Sequence, residues 1–175
     1  MLEVLKLKGM QIIDKNEIMI WLDKRKLLDH RGELLHTEFT ELSQYKFPVD
    51  SGKKTALSKT IASFFDTDSE ALLWINEFGI WPSSEDINLF NGFRRSLGEF
   101  SALTVKPGHI FSSNDLETIG SLLSMILYFC WGAVLVSTSK NLIIKISHDE
   151  IIDIFARDKQ SFSEIRGRLN GLLNA

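Results

Sequence analysis

Between Glu117 and Lys140 the chain carries no charged side chain, and the apolar character continues to Ile146. Such a stretch has to be hidden in a core, a partner or a bilayer, because exposing it costs roughly 25 cal/mol for every Å² of apolar surface. Its length alone meets the criterion of about 20 residues for a membrane-spanning helix. Its composition argues otherwise. Gly120, Ser121 and Ser124 dilute the first half, and the character changes at Trp131–Gly132. After that point Ala133–Thr138 and Leu142–Ser147 are short runs rich in Val and Ile, separated by Ser139, Lys140 and Asn141. Two such runs around turn-forming residues predict a β-hairpin. The stretch is therefore read as a buried helix over about residues 114–130, followed by antiparallel strands over 133–138 and 142–147, with no membrane association.

The rest of the composition suits that reading. With 44% hydrophobic and 25% charged residues and three prolines, the chain resembles ordinary folded proteins and can bury a core as a single globular domain over residues 1–175. Lys and Arg total 20 against 23 for Asp and Glu, so the electrostatic footprint of a general nucleic-acid binder is missing. The lone cysteine, Cys130, lies in the apolar stretch and reads as a small buried hydrophobe. The first 13 residues alternate Leu and Val with Glu and Lys instead of forming a secretory signal, so a cytoplasmic location is expected.

Along the chain, alternation over 2–13 predicts a strand. A helix over about 16–27 follows, started by Asp14 with Glu17 at capping-box spacing or by Asn16. Leu35, Thr37 and Phe39 alternate as an edge strand would. Phe47–Pro48–Val49 is extended, and Asp50 or Ser51 opens a helix to about Phe65 with Leu57, Ile61 and Phe64 in its buried stripe. Ala71–Phe78 reads as a central strand. Ser83 or Ser84 starts a helix whose apolar side is Ile87, Phe90 and Leu97, with Arg94–Arg95 as its basic end and Gly98 as its stop. Phe100–Val105 is a further strand candidate. The Ser-x-x-Glu spacings at Ser147–Glu150 and Ser161–Glu164 predict two more helix starts. The expected fold is α/β or α+β, with one mixed sheet of about four to six strands packed with helices.

Three groups of residues carry chemistry worth locating. Glu77, Trp81, Ser83, Ser84 and Glu85 combine a strand end, an aromatic and a helix N-terminus, an arrangement suited to an anion, although Trp81 as a core plug and the serines as caps explain it more simply. His148 with Asp149 and Glu150, joined in space by His109, Glu77 or Glu85, has the residue types for a divalent metal or a general base. Three consecutive residues point in different directions, however, and a capped helix start accounts for them. Arg94 and Arg95, with Arg166 and Arg168, form either a basic patch or solvated helix faces. No serine lies in a nucleophile-elbow turn and no phosphate-loop glycine spacing occurs, so neither a catalytic residue nor a cofactor is assigned.

The segments Trp81–Glu85 (WPSSE), Pro107–His109 (PGH) and Ser147–Glu150 (SHDE), together with the tryptophan-bearing run before them, resemble a group of uncharacterised bacterial proteins. The resemblance covers the central and C-terminal two-thirds of the chain and implies a small bacterial cytoplasmic domain, without an activity to transfer. The leading expectation is a non-enzymatic protein-binding module, of the immunity or regulatory type found in bacterial conflict systems. An exposed apolar patch should mark its docking surface, with Trp81 and neighbouring Phe residues as first candidates. The alternative is a small metal-dependent hydrolase or nuclease built from Glu77, Glu85, His109, His148 and Asp149.

Overall fold

A computed structural model describes residues 9–34, 39, 41–78, 84–139 and 141–174, with only the backbone described at Ser84 and Glu85. Its elements are β1 (Gln11–Ile13), α1 (Lys15–Lys24), β2 (Glu41–Lys46), α2 (Ser51–Ser63), β3 (Ala71–Glu77) and α3 (Ser84–Ser96). They continue with β4 (Gly108–Phe111), α4 (Leu116–Phe129), β5 (Gly132–Ser137), β6 (Leu142–Ile146), β7 (Ile151–Ala156) and α5 (Lys159–Leu173). The strands form one sheet in the order β1-β4-β3-β5-β6-β7-β2. Every neighbouring pair is antiparallel, so the expected mixed sheet of four to six strands is a seven-stranded antiparallel one. The strands not expected are β7, where the sequence predicts a helix, and β2, which lies just after the edge strand expected over 35–40; β5, β6 and β7 follow one another through tight turns, which makes them antiparallel.

The charge-free stretch folds as its pattern predicts. α4 buries Ile119, Leu122, Leu123, Ile126 and Leu127 and ends where Cys130 takes the left-handed conformation, with φ 52°. β5 then pairs with β6 from Ala133↔Ile146 to Ser137↔Leu142. All of β5 is buried because alternate side chains enter different cores. Ala133 and Leu135 face the helical side, where α2 packs on α4 and α5, while Val134 and Val136 face α1. Leu73 and Ile75 of β3 likewise oppose Leu72 and Trp74. Ala71–Glu77 is thus the two-sided central strand its sequence suggests. No helix among the described residues is long and apolar enough to cross a membrane.

Several elements differ from the sequence expectation. Ser147–Glu150 does not start a helix: it is the turn of the β6–β7 hairpin, with Ser147 N donating to Ile151 O at 2.8 Å and Glu150 at φ 61°. The serine satisfies a local turn amide, Asp149 N, and Ile151–Ala156 alternates half-buried and buried as a strand. α5 begins at Lys159, before the expected Ser161, because the Asp158 side chain accepts from Gln160 N and Ser161 N. Phe100–Val105 is a loop, and the strand lies at Gly108–Phe111. There Gly108 admits α1 against the sheet, since a Cβ would stand 2.7 Å from Ile13 and Ile18 side-chain carbons. The Asp14–Glu17 capping box and the Asp50 cap form as expected. Most of the strands expected over 2–13 and 35–40 lies outside the described residues.

Candidate functional site

The sheet end where β3 finishes, β5 begins and β6 turns into β7 gathers Glu77, His148, Asp149 and Glu150. Glu77 closes β3 opposite Gly132, after a register shift between Ile75 and Glu77. Its side chain lies over that glycine, where a Cβ would stand 2.5 Å from Glu77 Oε2 and 2.8 Å from Glu77 Cβ. Crossing β5 in this way, the carboxylate meets His148 Nδ1 at 2.8 Å, and Asp149 Oδ1 lies 3.5 Å from His148 Nε2. The hydrogen bond to Glu77, more than the neighbouring charges, raises the His148 pKa above its ordinary value. The imidazole is thus a bridge between β3 and the β6–β7 turn.

Trp74, Glu77, Lys145, His148 and Asp153 line a cleft of about 290 Å³ here, on the α1 side of the sheet. Lys145 and Asp153 face each other across β6 and β7, and Gln44 Nε2 donates to Asp153 Oδ1 at 2.8 Å. Burial lowers the Lys145 pKa, opposed by Asp153 and Glu33. Its ammonium lies 5.3 Å from the Phe155 ring centre. Sequence reading passed over Trp74, Lys145 and Asp153. The available signal was one charge in each apolar strand, in LIIKI and IIDIFA. Nearby, Cys130 Sγ lies 3.4 Å from Glu150 Oε1, and burial pushes the thiol pKa up, leaving it a poor nucleophile.

The other expected site residues scatter. His109 is fully buried on the helical side of β4, 6.3 Å from Phe90 between ring centres and edge-on to it. It does not join Glu77, His148 and Asp149, and among the described residues no group of three or more His, Cys, Asp or Glu could hold a metal ion. Arg94 is no part of a basic patch. It is fully buried beneath α3, donating from Nη2 to Lys106 O at 2.9 Å, while Arg95 is exposed. The turn of helix after Phe90 carries Arg94 inward, a consequence of the i, i+4 relation. Arg166 is exposed, and Arg168 is tied to Ser63 at 2.6 Å. Trp81 and Ser83 lie outside the described residues. Ser84 opens α3 and Glu85 follows in its first turn.

Arg94 and His109 form an unusual pair. Among the described residues, Arg94 Nε and Nη1 and both ring nitrogens of His109 lack hydrogen-bond partners. Burial first, and then the Arg94 charge, pushes the His109 pKa down to about 3. The Leu73 backbone opposes this shift without reaching hydrogen-bond geometry.

The outer side of α3 and the loop after it carry four of the eight large hydrophobic side chains exposed among the described residues. Leu89 is 62% exposed and Leu97, just past the helix end, 43%, while Phe93 between them is half-buried and packs against the core. The loop that follows adds Phe100 at 79% and Val105 at 61%. Trp21 and Trp131 are buried, and Trp74 is half-buried. Comparison of the chain with protein-family models, with curated proteins and with solved structures gave no match.

Proposed function

We propose that the chain is a non-enzymatic protein-binding module that docks its partner on α3 and the loop after it. The observation that carries this reading is the exposure of Leu89, Leu97, Phe100 and Val105 within one helix and its return loop. Large apolar side chains held in water and bordered by polar ones such as Arg95, Ser96 and Asn88 are the usual composition of a protein interface. The partner should offer apolar side chains for these four, with an acidic group for Arg95. An immunity-type or regulatory role, in which a small cytoplasmic bacterial protein caps a larger one, fits a surface of this kind.

The test is co-purification with Leu89→Asp and Phe100→Asp against Tyr128→Asp as a remote exposed control. A partner retained by wild type and by the control but lost by both α3-region variants supports the reading. Retention by all three refutes it.

A further inference from the structure

We propose that α3 and its return loop form a detachable cover over the sheet, released when His109 takes up a proton, and that this release controls the docking surface on α3. The inference rests on the docking reading for its consequence, but the movement itself follows from the core beneath the helix. Among the described side chains of α3, only Phe90 and Arg94 are fully buried. The second is a guanidinium whose Nε and Nη1 lack hydrogen-bond partners among the described residues, so beside the apolar packing of Phe90, Ile87 and Phe93 the helix is held down by a charge removed from water with only Nη2 satisfied. Facing it, neither ring nitrogen of His109 has a hydrogen-bond partner among the described residues. Opening the helix hydrates both groups.

Hydrogen bonds tie α3 to the loop that follows it. Leu103 N donates to Asn91 Oδ1 at 2.9 Å, Arg94 Nη2 to Lys106 O at 2.9 Å and Glu99 N to Arg94 O at 3.0 Å. Helix and loop therefore move together. The fixed point is Pro107, whose carbonyl accepts from Ile75 N on β3 at 3.1 Å.

The groups facing His109 are Arg94 from α3, Glu99 from the loop, the Leu73 backbone from β3 and the Phe90 ring. Glu99 is the lone carboxylate among them, and its influence on His109 is weaker than that of Arg94. A proton on the ring therefore sets two cations together in a dry site. Acid favours the open form, in which the imidazole recovers its ordinary value near 6.5 from about 3. Linkage then makes opening about 30-fold more frequent at pH 5.0 than at pH 7.5.

Amide hydrogen exchange on the partner-free protein, corrected for intrinsic rates, reads this directly. Amides of residues 86–96 should show a rise of about 30-fold in opening from pH 7.5 to 5.0 while those of α4 and β5 stay protected. His109→Phe should remove the pH step. Arg94→Met should protect α3 at pH 7.5 and shrink the step. An α3 that opens no more than α4 in acid in the wild type overturns the proposal, as does an undiminished step in His109→Phe. If neither variant folds, the wild-type pH series still decides it. Because no partner is present, the result is independent of the co-purification test, and either reading can fail alone.

Discussion

Glu77 reaches His148 by passing over Gly132, so that one side chain links three adjacent strands at 2.8 Å from the imidazole. The bridge needs a residue without a Cβ at its midpoint, and it holds the β6–β7 turn to the end of β3.

Gly132→Ala should therefore break the bridge. A methyl group 2.8 Å from Glu77 Cβ cannot be relieved by swinging a flexible end, so the strand or the carboxylate has to move. A loss of about 1–3 kcal/mol is expected in urea titrations, with the His148 NMR titration moving down toward that of an ordinary histidine.

The two histidines give opposite pH signatures. His148 has a folded pKa above its unfolded one, chiefly through Glu77, so its stabilisation is complete below about pH 6.5 and fades as pH rises through the folded value. The wild type should lose its advantage over Glu77→Gln across that upper window. His109 is depressed to about 3 by burial and by Arg94, so the unfolded chain takes up a proton the folded one refuses. This histidine should make stability fall from about pH 6.5 toward 3, at up to about 1.4 kcal/mol per pH unit, and the fall should be shallower in His109→Phe, where the depressed carboxyls of Asp29, Glu99 and Asp158 still contribute near its acid end.

Asp68 is 1% exposed, and its carboxylate accepts from Ser137 Oγ at 2.7 Å and Ser139 N at 3.0 Å. It fastens the turn before β3 to the end of β5. Asp68→Ala leaves both donors without this acceptor and should cost about 2–4 kcal/mol in chemical denaturation. Asp68→Asn, which keeps one acceptor oxygen, should cost roughly half as much.

Along α3 the inner and outer aromatics should separate cleanly. Phe90→Ala opens a cavity beside Trp131, whose ring centre lies 5.4 Å away, and should cost about 3–5 kcal/mol. Phe100→Ala removes a ring already in water and should shift stability by no more than about 0.5 kcal/mol.

What could be read from sequence was decided by how far each local pattern was its own explanation. The charge-free stretch specified α4, β5 and β6 because no other arrangement of those residues hides them so cheaply. Ser147–Glu150 misled because a serine two or three residues before a free amide serves a hairpin turn as well as a helix start, and only pairing with β6 separates the two. Arg94 stands at i+7 from Ile87 and i+4 from Phe90, so its inward position was legible from spacing and obscured by its charge. His109 alternates with the buried Phe111, a spacing that shows only with the strand at Gly108–Phe111 and not at Phe100–Val105. The meeting of Glu77 with His148, 71 residues away, is a product of strand order, which no local pattern encodes.

β2 has one neighbour in the sheet, β7, with Glu41 opposite Ala156 and Lys46 opposite Ile151. A ribosome that has delivered the first hundred residues has therefore made an outer strand whose seat does not yet exist. Pairing of this early segment in its native place cannot be completed until the last β-strand has emerged.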